Sequence, residues 1–206
     1  MKKKILLMIG LATLLASTTQ AYSQEQLAKS IQDARTETAR TSQQLKETMS
    51  ALNALAGQTQ GDLRPAYIAF AAAVTNTVSA AATTAARVQW MDGDGQNYFK
   101  NWQDTVTSIA NQSLRKKSQK RLEAVRADFD EVKKELKEAS VKFKPFLSDL
   151  ADIQKTVAMD VTAAGVKSVR STVKSANWNH QSVNRAINSA LNEMDKMEKS
   201  LSSEAK

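Results

Sequence analysis

The chain has 206 residues, 24% charged and 5% aromatic, with 29 Lys and Arg against 21 Asp and Glu, one histidine and no cysteine. The lack of cysteine excludes disulfides, thiolate zinc sites, iron–sulfur clusters, c-type haem attachment and thiol nucleophiles. The lone His180 excludes a two-His metal motif, and the absence of any GxSxG or Walker-type loop makes a non-enzyme without cofactor the expectation.

Lys2, Lys3 and Lys4 form a positive start, Ile5 to Ala16 an apolar run, and Thr19-Gln20-Ala21 a small-x-small cleavage site, the pattern of a secretory signal peptide. Cleavage near Ala21 would leave 22–206 as one helical-bundle domain, periplasmic or secreted, with no transmembrane segment expected in the mature part. Thr18 stands where a lipoprotein signal needs its cysteine, so that route offers no lipid anchor. Removing residues 1–21 takes three lysines and no acid, leaving 26 bases against 21 acids and a net charge of +5.

The first helix is expected from about Gln24 to Ala56. Its stripe of Leu27, Ile31, Ala34, Thr38, Thr41, Leu45, Thr48, Leu52 and Leu55 alternates steps of four and three residues, with threonines weakening its middle. Gly57 reads as its stop, Asp62 as the next N-cap and Pro65 as a tolerated first-turn residue. The second helix carries Leu63, Tyr67, Phe70, Val74, Thr77, Ala81, Thr84 and Val88, then Phe99, Trp102, Val106 and Ile109 in the same phase. That continuity predicts one long helix with a soft point at Gly93 and Gly95.

After a reversal at Asn111 to Ser113, the most regular stripe runs through Leu122, Val125, Phe129, Val132, Leu136, Ala139, Phe143, Phe146, Leu150, Ile153 and Val157. Pro145 lies within it and predicts a kink near Val141 to Lys144 without loss of register. A last helix opens near Asp160 to Thr162 and carries Val166, Val169, Val173, Ala176, His180, Val183, Ile187, Ala190, Met194, Met197 and Leu201. The fold class predicted is all-α, an elongated antiparallel bundle of about four long, coiled-coil-like helices.

Tyr98-Phe99 with Trp102, Ser113-Leu114-Arg115 with Ser118, Val125-Arg126 with Phe129, Pro145-Phe146-Leu147 with Leu150, Asp152-Ile153, and Asp160-Val161-Thr162 before Gly165-Val166 form a recognisable set. Through these residues, mainly over 98–173, the chain resembles a family of exported bacterial helical proteins known as domain of unknown function 2959. The resemblance implies a coiled-coil-rich envelope protein of Gram-negative bacteria. It brings no activity, ligand or catalytic residue, and Thr18 departs from the lipoprotein pattern of some members.

Arg115, Lys116, Lys117, Lys120 and Arg121 place five positive charges in seven residues at the start of the third helix. Cations there oppose the helix dipole, so the cluster is a candidate for binding a phosphate or an anionic lipid headgroup together with free backbone N–H groups. The competing explanation is a solubilising face balanced by Glu123, Asp128 and Asp130. Nucleic acid is a poor partner, since export separates the two and no aromatic platform adjoins the cluster.

His180 raises a haem reading with Met159, Met194 or Met197 as second ligand, but Met194 and Met197 lie too far along the same helix, and a hydrogen-bonded or end-exposed histidine is the simpler reading. Asp92-Gly93-Asp94-Gly95 imitates part of a calcium loop, yet Asn97 and Gln103 stand where glycine and a bidentate glutamate belong. Asp128, Glu131, Asp149 and Asp152 read as outward-facing partners and not as a catalytic pair. Trp102 is expected in the core, and Trp90 and Trp178 at its edge.

The leading expectation is a non-catalytic structural or interaction module of the cell envelope, whose weak seams are completed by an envelope protein or a second copy. The alternative is an anionic-lipid or phosphorylated-ligand binder using residues 115–121.

Overall fold

A computed structural model describes residues 2–202, with side chains from Ser23 onward. The leader expected at residues 1–21 therefore falls outside the described side chains. The helices are α1 (Lys2–Gly57), α2 (Arg64–Ser108), α3 (Gln112–Met159), α4 (Ala163–Ser168) and α5 (Arg170–Ser202), and no strand occurs among the described residues.

α1 packs on α2 and α5, and α3 packs on the same two, closing a ring in which every neighbour is antiparallel. The side-chain bonds show the direction: Thr48 pairs with Thr77 and Thr41 with Thr84 across α1 and α2, while Gln24 reaches the Leu201 carbonyl and Asn53 reaches Asn177 across α1 and α5. The 48 residues of α3 span about 70 Å at 1.5 Å per residue, so the bundle is elongated as expected.

Each stripe turns inward because a four-three repeat holds one face toward the neighbours. All nine expected positions of α1 are buried, from Leu27 to Leu55, threonines included. On α3 only Phe143 of the stripe is half-buried, and on the last helix only His180. The reversal between α1 and α2 turns on Gly61, whose φ of 82° suits glycine. The N-cap of α2 is Leu63 and not the expected Asp62, which lies two residues before the helix start and accepts the Arg64 backbone N–H at 3.0 Å.

α2 is unbroken through residues 93–95, and the reason for one glycine lies in α3. A Cβ on Gly95 would come within 2.3 Å of the Phe129 ring, whereas one on Gly93 meets nothing within 4 Å. Gly95 thus marks a close approach of helix backbone to an aromatic ring, and not a turn. α3 also continues through Pro145; Val141, whose carbonyl loses its helical partner there, lies on the outer face at 50% exposure.

The expected last helix is two pieces. Thr162 caps α4 by accepting the Gly165 N–H, and a Cβ on Gly165 would fall 1.9 Å from the Asp160 carbonyl oxygen, so this turn admits only glycine. Val169 interrupts the helix with ψ near 8°, but the Val173 N–H bonds to the Val169 carbonyl and the helix resumes in register.

The core forms two clusters. One surrounds Leu52, Phe70, Phe146, Leu150 and Ile153 near the α1–α2 turn. The other surrounds Leu27, Ile31, Tyr98, Phe129 and Met194 near the opposite end. Between them the facing residues are small or hydroxylated, among them Thr38, Thr41, Ala81 and Thr84, and a groove of about 610 Å³ opens between α2 and α3.

Candidate functional site

The basic cluster occupies the first turns of α3, at the end of the bundle where Gln24 meets Leu201. The structure divides it by task. Arg115 donates from Nε to the Ile109 carbonyl at 2.8 Å, closing the α2–α3 turn, and Arg121 donates to the Ser200 carbonyl at 2.7 Å, covering an acceptor in the last turn of α5. Lys116, Lys117 and Lys120 are exposed and make no ion pair among the described residues.

The backbone donors expected to join these cations are largely taken. The Asn111 side chain accepts the N–H groups of Ser113 and Leu114 at 3.0 and 3.1 Å, and the Arg115 N–H bonds to the Asn111 carbonyl. An anion approaching this helix end meets three lysine ammonium groups and not a cradle of amides. The neighbouring acids are partly engaged elsewhere: Asp128 accepts from Ser200 and Glu123 from Gln119.

His180 is half-buried, with its ring centroid 6.0 Å from that of Phe146 and its Nε2 enclosed without a hydrogen-bond partner. It is thus neither end-exposed nor hydrogen-bonded through that nitrogen, contrary to expectation. Burial pushes its pKa below the ordinary value, and the Lys46 charge adds to the shift. Met194 and Met197 belong to the other core cluster, and Met159 is 77% exposed. No group of three His, Asp or Glu that would hold a metal occurs among the described residues.

The carboxylates of the calcium-like fragment serve the bundle. Asp92 pairs with Lys133 across α2 and α3 at 2.7 Å, and Asp94 accepts from Gln26 of α1. Asp149 accepts from Ser175 and Asn179 of α5, and Glu131 pairs with Lys134 within α3. The bonds of Asp92, Asp94 and Asp149 join neighbouring helices, that of Glu131 stays within its own, and the four carboxylates do not converge on one another. Trp102 is half-buried against Tyr98 and donates to Ser118, while Trp90 stacks with Arg87 and Trp178 is 68% exposed.

A feature that the stripes did not foretell lies on α2. No charged residue occurs from Pro65 to Ala86, a stretch of 22 residues, and by length and composition this helix meets the requirement for a membrane span although only 17% of its most apolar window is buried. Phe70, Val74 and Thr77 face the core, leaving Ile68 and Val78 at 64% and 50% exposure among alanines and threonines.

Fold and side chains together define an antiparallel bundle of long helices, with a cationic end and an uncharged outer face. The chain belongs to the family described as protein of unknown function (DUF2959), whose model matches residues 18–201. No curated protein matches it.

Proposed function

We propose that the protein is a non-catalytic interaction module of the bacterial envelope, exported by its N-terminal segment and working in the periplasm. The observation that carries this reading is the outer face of α2. A helix on the surface of a bundle normally presents charge to water, as α3 and α5 do here; α2 presents Ile68, Val78 and small uncharged residues over 22 positions. Such a face suits an envelope partner or a second copy, because small residues let another helix approach closely.

Cross-linking in intact cells followed by denaturing purification tests this. A single protein species attached through residues introduced near Ile68 and Val78 is the expected result. A protein that stays monomeric in light scattering and captures nothing from those positions would overturn the reading.

A second reading is favoured by the three lysines without ion pairs at the end where the chain enters the bundle: adsorption to anionic lipid headgroups. Binding to anionic vesicles should then weaken steeply with salt and be lost when Lys116, Lys117 and Lys120 are all replaced by glutamate.

A further inference from the structure

The groove between α2 and α3 arises where α2 presents the small Ala81, Thr84, Ala85 and Val88 to the larger Leu136 and Phe143 of α3. Its floor is closed by Thr38 and Thr41 of α1 and by Ile187 of α5, so it reaches the bundle interior between the two core clusters. The Thr41 and Thr84 hydroxyls bond each other at 3.0 Å and thereby satisfy their polar needs across the floor. What remains along the walls is mainly methyl, methylene and ring carbon.

The rim supplies the charge. Lys133 is neutralised by Asp92 and Lys134 by Glu131, but Lys137 has no ion pair among the described residues. Helical side chains lean toward the N-terminus of their helix, which carries the Lys137 ammonium toward the turn of Lys133. Asp92 and Asp130 close the groove beyond that turn and would repel a second negative charge. Lys137, unpaired, stands within an apolar trough that has Asp92 and Asp130 at one end and Phe143 at the other.

We propose that this groove binds a single medium-chain fatty carboxylate, its head at Lys137 and its tail running between Ala81, Ala85 and Phe143. From Lys133 to Phe143 the wall extends ten residues, about 15 Å at the helical rise, which an extended lauroyl chain fills. The 610 Å³ volume lies within the range of about 300–1,000 Å³ typical of small-molecule sites. One unpaired cation matches a monoanionic head, and the single trough has no room for a second chain beside the first.

The test is calorimetric titration of the full chain with laurate below its micellar concentration. Saturable one-to-one binding is expected, several-fold weaker for decanoate and no tighter for palmitate, whose extra methylenes leave the groove. Dodecyltrimethylammonium, with the same tail and a cationic head, should bind about fivefold or more weaker. Lys137→Glu, an exposed change that leaves the core untouched, should reverse that preference, and Ala85→Phe should abolish binding of both while helicity is retained. If Ala85→Phe does not fold, the head-group reversal in Lys137→Glu decides alone. No saturable binding, or binding that ignores Lys137→Glu, would overturn the proposal; the latter would indicate adsorption along the outer face of α2.

Discussion

Two glycines two residues apart on α2 separate intrinsic helix preference from packing. Alanine is favoured over glycine in a helix by about 1 kcal/mol, and at Gly93 nothing opposes that gain, because no atom lies within 4 Å of the added Cβ. Gly93→Ala should therefore stabilise the protein by up to about 1 kcal/mol. At Gly95 the Cβ would overlap the Phe129 ring, which is buried, packed on Phe99 and unable to withdraw freely. Gly95→Ala should cost about 1–3 kcal/mol despite its better propensity. Urea unfolding of the two variants should give midpoint shifts of opposite sign; shifts of the same sign would show that Phe129 yields easily.

His180 makes a second prediction at this scale, with its sign set by burial. Its folded pKa lies below the ordinary value of about 6.5, so the unfolded chain takes up the proton first as pH falls. Stability is fully present above the unfolded pKa and declines as pH drops from about 6.5 toward the lower folded value. His180→Gln removes that titration. Between pH 7.5 and 5.5 the wild-type protein should lose more stability in chemical unfolding than His180→Gln, and parallel losses would show that the imidazole is solvated in the fold.

At the scale of elements, α1, α3 and α5 were legible in the sequence because each carries a continuous four-three stripe that a single face must bury. α2 was legible only at its ends. Its buried positions include Met91, Gly95 and Tyr98, which continue the four-three steps from Val88 to Trp102 and were passed over where the expected stripe resumed at Phe99; the steps do not say why position 95 is glycine, which is demanded by the Phe129 ring of α3. That demand comes from a residue 34 positions away in the chain, beyond the reach of local periodicity. The break at Val169 was equally hidden, since Val169 remains buried on either description. Threonines in α1 and alanines in α2 showed thin seams; that the two thin stretches face each other to open the groove is a fact of register. The basic cluster was visible as five charges, but only the turn geometry distinguishes Arg115 and Arg121, which bind carbonyls, from the three free lysines.

Across the whole molecule, two apolar clusters share the same helices with a polar and partly open belt between them. A rod of this kind either melts as one unit or as two halves hinged at the groove. α1 and α3 each contribute residues to both clusters without interruption, and the hydroxyl pairs Thr41–Thr84 and Thr48–Thr77 tie α1 to α2 through the belt. This continuity favours a single cooperative transition. Ile31 in one cluster and Ile153 in the other are both fully buried, and each Ile→Val change should cost about 0.5–1.5 kcal/mol, lowering Tm by about 2–4 °C per kcal/mol for a chain of this size. Lacking shared neighbours, the two should add within about 0.5 kcal/mol in the double variant. Calorimetry of all three variants should show one transition shifted as a whole. A transition that splits, with Ile31→Val moving one part and Ile153→Val the other, would mean that the belt uncouples the halves and that a ligand seated in the groove would join them.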